Sequence, residues 1–110
     1  MSTIEKSPVI RSPIEIVGED GLKQFAKKFS SARPGLDRWL KLTKAAQWKT
    51  FQDVKATFPA TDYIPQNQYC FDIGGNNYRL LTAISFQLGV VTVLDFMSHA
   101  DYDKKKLNTR

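Results

Sequence analysis

The sequence predicts one α+β domain in which helices pack on one face of an antiparallel sheet. Apolar residues recur at helical spacing before Pro65 and alternate as in strands after it, and Gly- and Asn-rich turns separate the later strands. The expected element order is β-α-α-(α)-β-β-β. With 42% hydrophobic residues, this chain of 110 residues can bury its own core.

The first residues divide into an extension and a strand. Residues 1–12 are polar and are expected to form a flexible N-terminal extension, followed by one folded domain over residues 13–110. The alternation of residues 13–17 predicts a short strand. The extension lacks the apolar segment of a signal peptide, and the chain has one cysteine, Cys70, so the expected compartment is the cytoplasm.

Three helices are expected between residues 20 and 59. Asp20 is the expected N-cap of the first, whose apolar stripe consists of Leu22, Phe25, Ala26 and Phe29. The second follows a break at residues 33–35, and its apolar face consists of Leu36, Trp39, Leu40 and Ala46. Thr50 and Asp53 resemble a capping box for a short third helix that ends at Pro59.

Two turns fix the expected register of the remaining strands. A turn centred on residues 75–76 places Asp72 opposite Arg79, and a turn centred on Leu88 places Arg79 beside Met97. His99 then emerges at the same end of the sheet. Because a slip of one residue would move every side chain to the other face, this register decides whether these residues converge.

Positive charge is concentrated in the expected helices. The whole chain has a net charge of +5, whereas residues 21–60 hold nine basic and two acidic residues, a net charge of +7. Residues 61–103 hold five acidic residues and one base, Arg79. The basic block would speed encounter with a polyanion such as RNA, but ordinary solvated lysines explain it equally well at this stage.

Few residues are available for catalysis. One cysteine and one histidine exclude a disulfide framework and a multi-histidine zinc site, so we expect no metal and no cofactor. Arg79 is either a cross-strand partner of Asp72 or a phosphate clamp. His99 is either structural or a proton-transfer group, and Tyr102 could stack on a base or donate a proton.

Five motifs in a fixed order carry a family resemblance. They are residues 48–50 (WKT), 53–55 (DVK), 58–59 (FP), 71–80 (FDIGGNNYRL) and 98–103 (SHADYD). Together they resemble the HigB toxins of type II toxin–antitoxin systems, which are RelE-like mRNA interferases, and the resemblance extends from about residue 13 to residue 104. It implies a RelE-like fold with a three- to four-stranded antiparallel sheet and two N-terminal helices.

The resemblance also implies a function and its partners. The chain would be a ribosome-dependent endoribonuclease that cleaves translated mRNA by metal-independent attack of the substrate's 2′-OH. Its partner would be a HigA-type helix-turn-helix antitoxin, and the chain would contact operator DNA only through that antitoxin. No interaction with a membrane is expected. The family commonly has Asn at the position of Asp72 and often Lys at that of Asn77, so this chain gains a negative charge and lacks a positive one beside Arg79.

The expected site residues fall into two groups. The catalytic candidates are His99, Arg79 and Tyr102, with Lys49 or Lys55 assisting Arg79 at the transition state. The candidates for RNA binding are Lys49, Lys55, Lys41, Lys44, Arg38, Asn76 and Lys104. Two alternatives remain open at this stage: a non-catalytic RNA- or ribosome-binding module, and a degenerate toxin that acts only as an antitoxin's co-repressor.

Overall fold

Nine helices and strands and one 3-10 turn can be described within residues 14–108 of the computed structural model, so the expected extension over residues 1–12 lies outside the described part. In chain order they are β1 (Glu15–Val17), α1 (Glu19–Lys28), the 3-10 turn (Ser30–Ala32), α2 (Arg33–Ala45), α3 (Phe51–Thr57), β2 (Asp62–Ile64), β3 (Gln68–Ile73), β4 (Tyr78–Ser85), β5 (Val90–Ser98) and α4 (His99–Asn108). This is an α+β fold, as expected. None of the described helices is long and apolar enough to span a membrane.

The sheet is mixed, which corrects the expected antiparallel sheet of three to four strands. Its five described strands follow the order β1-β5-β4-β3-β2, and β1 runs parallel to β5 while the other pairs are antiparallel. The Glu15 backbone N–H donates to the Gly89 carbonyl at 2.9 Å, so β1 joins the sheet where β5 begins. The edge strand β2 has only three residues, too few to show alternation.

The expected register around Arg79 is confirmed. Arg79 pairs with Asp72 on β3 and with Met97 on β5. Nearer the second turn, the register between β4 and β5 differs by one residue from the expected register, since Ser85 pairs with Val90. A bulge at Leu94 in β5 compensates for this difference. The turn therefore spans residues 86–89 rather than centring on Leu88, and the bulge restores the expected register before Arg79.

The apolar stripes of α1, α2 and α3 pack on one face of the sheet, which we call the core face and which carries Phe71, Leu80 and Phe96. Trp39 of α2 is fully buried against Phe71, with ring centroids 5.5 Å apart. The first residues of two helices differ from expectation. Helix α1 begins at Glu19 after Gly18 in a left-handed conformation, so Asp20 is not its N-cap. Helix α2 begins at Arg33, so the expected break at residues 33–35 lies inside this helix. The expected capping box of α3 is confirmed.

The helix α4, which the sequence pattern did not predict, lies against the opposite face of the sheet. We call this the Arg79 face; its side chains include Cys70, Asp72, Arg79 and Asp95. The Ser98 hydroxyl accepts the Asp101 N–H at 3.1 Å, which satisfies one backbone donor in the first turn of the helix. Helices therefore pack on both faces of the sheet, rather than on one.

Candidate active site

The candidate site lies at the end of the sheet where β3 turns into β4 and β5 continues into α4. The turn contains Gly74 and Gly75, whose φ angles of 64° and 70° are in the left-handed region that favours glycine. Helix α2 approaches this turn closely, because a Cβ on Gly35 would lie 2.7 Å from the Gly74 backbone nitrogen. The turn is thus held against α2, and it positions the side chains that follow.

Arg79 is almost buried on its face of the sheet and makes four polar contacts. Its Nε lies 3.3 Å from Asp72 Oδ1, and its Nη2 donates to Asn76 Oδ1 at 2.7 Å. Its Nη1 donates to the backbone carbonyls of Asn76 and Tyr78 at 3.2 and 3.1 Å. The cross-strand ion pair is therefore present, and most of the guanidinium's five donor hydrogens are engaged. A phosphate would meet a fixed positive charge, and a bidentate contact would require Asp72 or Asn76 to move.

The ion pair does not dominate the electrostatics of Asp72. Burial raises the pKa of the Asp72 carboxyl, Arg79 lowers it, Asp62 raises it and His99 lowers it, with a net increase above the ordinary value of 3.8. The loss of hydration therefore outweighs the attraction of the neighbouring guanidinium. Such a pair contributes little net stability, but it holds Arg79 in one orientation.

His99 begins α4 and is fixed at both its backbone and its ring. Its backbone N–H donates to the Asn77 carbonyl at 2.9 Å, and its Nε2 lies 3.1 Å from Asp103 Oδ2. The ring is still 40% exposed, so a substrate can reach it. Asp103 is a residue of this site that sequence reasoning missed; its four-residue spacing from His99 becomes a signal only once α4 is recognised.

Tyr102 lies one helical turn after His99 and faces Cys70. The Tyr102 hydroxyl hydrogen-bonds the Cys70 side chain. Burial raises the pKa of Tyr102 to about 12 and that of Cys70 to about 11, so both groups are protonated near neutral pH. Cys70 is therefore not a nucleophile, and Tyr102 is a neutral phenol whose hydroxyl is already engaged.

The residues expected to bind RNA lie on several elements. Arg38, Lys41 and Lys44 are on α2, Lys49 precedes α3, Lys55 is within α3, Asn76 is in the β3–β4 turn and Lys104 is on α4. Lys44 pairs with Glu19 at 3.1 Å. Lys55 Nζ lies 5.6 Å from the centre of the Phe51 ring. Arg79, Asn76, His99 and Tyr102 are brought to one end of the sheet, as expected.

Lys49 and Lys55 are not brought beside Arg79. Helix α3 packs on the core face, where Val54 is buried, whereas Arg79 projects from the opposite face. The fold thus separates Lys49 and Lys55 from the candidate catalytic side chains by the thickness of the sheet. Assistance to Arg79 from Lys49 or Lys55 has no geometric support.

Comparison with known proteins first assigns the chain to a class. Residues 32–105 match a family described as the RelE-like toxic component of a toxin–antitoxin system, and this segment includes every candidate site residue named above. These are the HigB toxins, and because the match covers more than half of the chain, the protein belongs to the HigB toxin family. The resemblance carried by the sequence motifs is confirmed. A toxin of such a system has an antitoxin as its partner.

Curated relatives cover most of the chain at low identity. The mRNA interferase HigB of Escherichia coli O6:H1 is 26% identical over 93 residues, which are 83% of this chain and 90% of that protein. The mRNA interferase toxin HigB of Escherichia coli K12 and the mRNA interferase HigB of Shigella flexneri are each 25% identical over 93 residues, covering 82% of this chain and 88% of each relative.

Proposed function

We propose that this toxin is an mRNA interferase, an endoribonuclease that cleaves mRNA on the translating ribosome in the cytoplasm. A HigA-type helix-turn-helix antitoxin would restrain it and would carry the complex to operator DNA. The observation that best supports cleavage is the convergence of Arg79, His99 with its partner Asp103, and Tyr102 at one end of the sheet. The names of the curated relatives support the same activity.

The proposed reaction uses the nucleophile that RNA itself supplies. The 2′-oxygen attacks the adjacent phosphorus, the bond from phosphorus to the 5′-oxygen of the next nucleotide breaks, and the upstream product ends in a 2′,3′-cyclic phosphate. One proton leaves the 2′-hydroxyl and one reaches the departing 5′-oxygen. His99 is the group that exchanges a proton with the reacting oxygens, and the Asp103 carboxylate orients its imidazole.

Arg79 and Tyr102 have supporting roles in this reaction. Arg79 provides fixed positive charge next to the phosphorane as negative charge accumulates. Asn76 and Asp72 hold the guanidinium in place, so Arg79 acts through its fixed charge rather than through a bidentate contact, and little reorganisation accompanies the reaction. Tyr102 remains a neutral phenol at the pH of the cell, which favours stacking of its ring on a base over action as a general base.

The basic residues of the helices have a different role, namely contact with the RNA backbone of the ribosome and its message. Arg38, Lys41, Lys49 and Lys55 on the core-face side, with Lys104 on α4, present positive charge on both sides of the sheet. Binding through these residues would weaken steeply as salt increases, because phosphate contacts release counterions.

Primer extension on a translated mRNA tests the proposal. We expect the wild-type chain to produce defined breaks within the reading frame, and His99→Ala to reduce the cleavage rate by at least about a hundredfold, the usual contribution of a positioned proton-transfer group. Arg79→Ala and Arg79→Lys should both lose most activity, since Lys keeps the charge but not the planar contacts. Arg33→Ala, on the exposed surface of α2, is the matched control for lost charge.

The outcomes separate the candidate functions. Undiminished cleavage and growth arrest by the His99 and Arg79 variants would refute the site assignment. Messenger RNA that is bound by the wild-type chain but remains intact would instead support a non-catalytic ribosome-binding module. Circular dichroism of each variant shows whether a loss of activity reflects a loss of fold.

A further inference from the structure

A cavity of about 420 Å³ lies between α2, the loop from α3 to β2, and the β3–β4 turn. Its walls include Pro34 and Gly35 of α2, Phe58 and Pro59 of the loop, and Gly74 of the turn. The walls are thus largely proline rings, aromatic surface and backbone. This volume is within the range of about 300–1,000 Å³ that is typical of small-molecule sites.

The walls of the cavity are fixed before any ligand arrives. The Thr61 hydroxyl donates to the Phe58 carbonyl at 2.7 Å, and the Thr57 hydroxyl accepts from Trp48 Nε1 at 3.1 Å, so the loop is tied to itself and to the core. The opposite wall is equally constrained, because Gly35 touches the Gly74 backbone closely. A preformed cavity requires little ordering when it binds a ligand.

The charged groups around the cavity favour a ligand with an anionic part. Arg38 lines the cavity, is exposed, and has no hydrogen bond or ion pair with the part of the chain between residues 14 and 105. Among the described residues that line it, the one acidic residue is Asp72, which is paired with Arg79. Apolar walls with one available guanidinium suit a flat ring that carries a phosphate, which describes a nucleotide.

The cavity is linked to the candidate catalytic residues through Asp72 and the β3–β4 turn. Asp72 contributes to the cavity wall and to the Arg79 ion pair, while Asn76 of the same turn hydrogen-bonds the Arg79 guanidinium. Asn77, the last residue of the turn, accepts the backbone N–H of His99. A ligand in the cavity would therefore lie across the turn from the residues that are proposed to act on the scissile phosphate.

We propose that this cavity binds one nucleobase of the RNA strand whose scissile phosphate meets Arg79, and that Arg38 contacts the phosphate of that bound nucleotide. This inference rests on the proposed function and extends it, because a cavity for one base next to the cut would set which nucleotides are preferred there. The apolar residues Pro34, Phe58 and Pro59 line the cavity and would pack against the base.

Binding of the four ribonucleoside 5′-monophosphates to the full chain tests the cavity without cleavage. We expect the nucleotides to shift the NMR signals of the Gly74 and Gly75 amides saturably. Arg38→Ala should lower the affinity measured from these shifts about tenfold, because it removes a charge-assisted hydrogen bond. Ala60→Trp places a large side chain in the cavity from an exposed loop position, and it should also lower the nucleotide affinity. Arg33→Ala removes the same charge from α2 outside the cavity and should have little effect.

Two results would overturn the proposal: no saturable shift of the turn amides when the nucleotides are added, or a loss of nucleotide affinity in Arg33→Ala as large as that in Arg38→Ala. A second measurement, the base composition next to mapped cleavage sites, separates this proposal from the proposed function. Wild-type cleavage whose base preference neither Arg38→Ala nor Ala60→Trp alters refutes the cavity assignment alone. A chain that binds nucleotides at the turn but cuts no mRNA refutes the proposed function and supports the cavity.

Discussion

Substitution of Asp72 by Asn should increase the rate of mRNA cleavage. The Asp72 carboxylate lies 3.3 Å from Arg79 Nε and cancels much of the positive charge that a phosphate would meet. Asn keeps an oxygen that can accept the Nε–H, and Asn76 and Tyr78 still hold the other guanidinium nitrogens. The variant therefore removes one negative charge and leaves the orientation of Arg79 nearly unchanged.

The expected size of the effect follows from the geometry. A phosphate oxygen on the far side of the guanidinium would lie roughly 7 Å from Asp72, where two unit charges repel by about 2 kcal/mol at an effective dielectric constant of about 20. That energy corresponds to an increase of roughly tenfold to thirtyfold in rate, and the increase should shrink as salt rises.

Stability provides an independent check on the same variant. Because the pKa of Asp72 is raised in the folded chain, the folded state binds this proton more tightly than the unfolded state does. Ionised Asp72 therefore opposes folding once the pH exceeds its folded pKa, and Asp72→Asn should not lower the melting temperature at neutral pH.

Single-turnover cleavage on ribosomes programmed with a defined mRNA is the appropriate assay. Asp37→Asn removes the same charge from the exposed surface of α2 and controls for net charge. A folded Asp72→Asn variant that cleaves no faster than the wild type would refute the reasoning, and Asp72 would then act as a positioning residue whose charge Arg79 needs.

Three further predictions concern stability. Thr43 and Thr82 are both fully buried, but of the two hydroxyls only that of Thr82 has a hydrogen-bond partner among the described residues, the Tyr69 carbonyl at 3.1 Å. Thr43→Val should therefore raise, and Thr82→Val lower, the free energy of unfolding by about 1 kcal/mol, as measured by urea denaturation. Gly35→Ala should destabilise the fold by about 1–3 kcal/mol, because the new Cβ would lie 2.7 Å from the Gly74 backbone nitrogen. Gly21→Ala should stabilise it by up to about 1 kcal/mol, because no atom would lie closer than 3.9 Å to the new Cβ. The reverse order of melting temperatures would contradict the close approach of α2 to the turn. The free energy of unfolding should fall between pH 9 and 11, because the Cys70 pKa rises from 9.0 to about 11 on folding and the unfolded chain therefore loses this proton first. Cys70→Ala should remove this part of the loss, at most about 3 kcal/mol. An alkaline stability profile that Cys70→Ala leaves unchanged would contradict the prediction.

The fold around Arg79 was predictable because local signals agreed there. The turn residues Gly74 and Gly75 fixed the β3–β4 register, which placed Asp72 opposite Arg79. The predicted centre of the second turn, Leu88, lies half a residue beyond the observed centre between residues 87 and 88. A bulge at Leu94, which no local sequence signal marks, restores the expected register. The convergence of Arg79 with His99 therefore rests on a compensation within β5.

The remaining parts depended on tertiary contacts. Helix α4 has one aromatic residue, Tyr102, in a charged run, so its sequence lacks an apolar stripe, and the hydrogen bond between Tyr102 and Cys70 forms only in the folded chain. Without α4 the pairing of His99 with Asp103 could not be seen. The separation of Lys55 from Arg79 likewise follows from which face each element covers, and neither charge nor spacing determines that.

The chemistry of the cut tests the central claim most directly. After the cleavage position has been mapped on a programmed ribosome, an mRNA with one 2′-deoxynucleotide on the upstream side of that bond should resist cleavage there, because it lacks the nucleophile. The unmodified mRNA should yield an upstream fragment that ends in a 2′,3′-cyclic phosphate. Undiminished cleavage of the 2′-deoxy substrate, or an upstream fragment that ends in a 3′-hydroxyl, would contradict the proposed reaction of the site formed by Arg79, His99 and Tyr102.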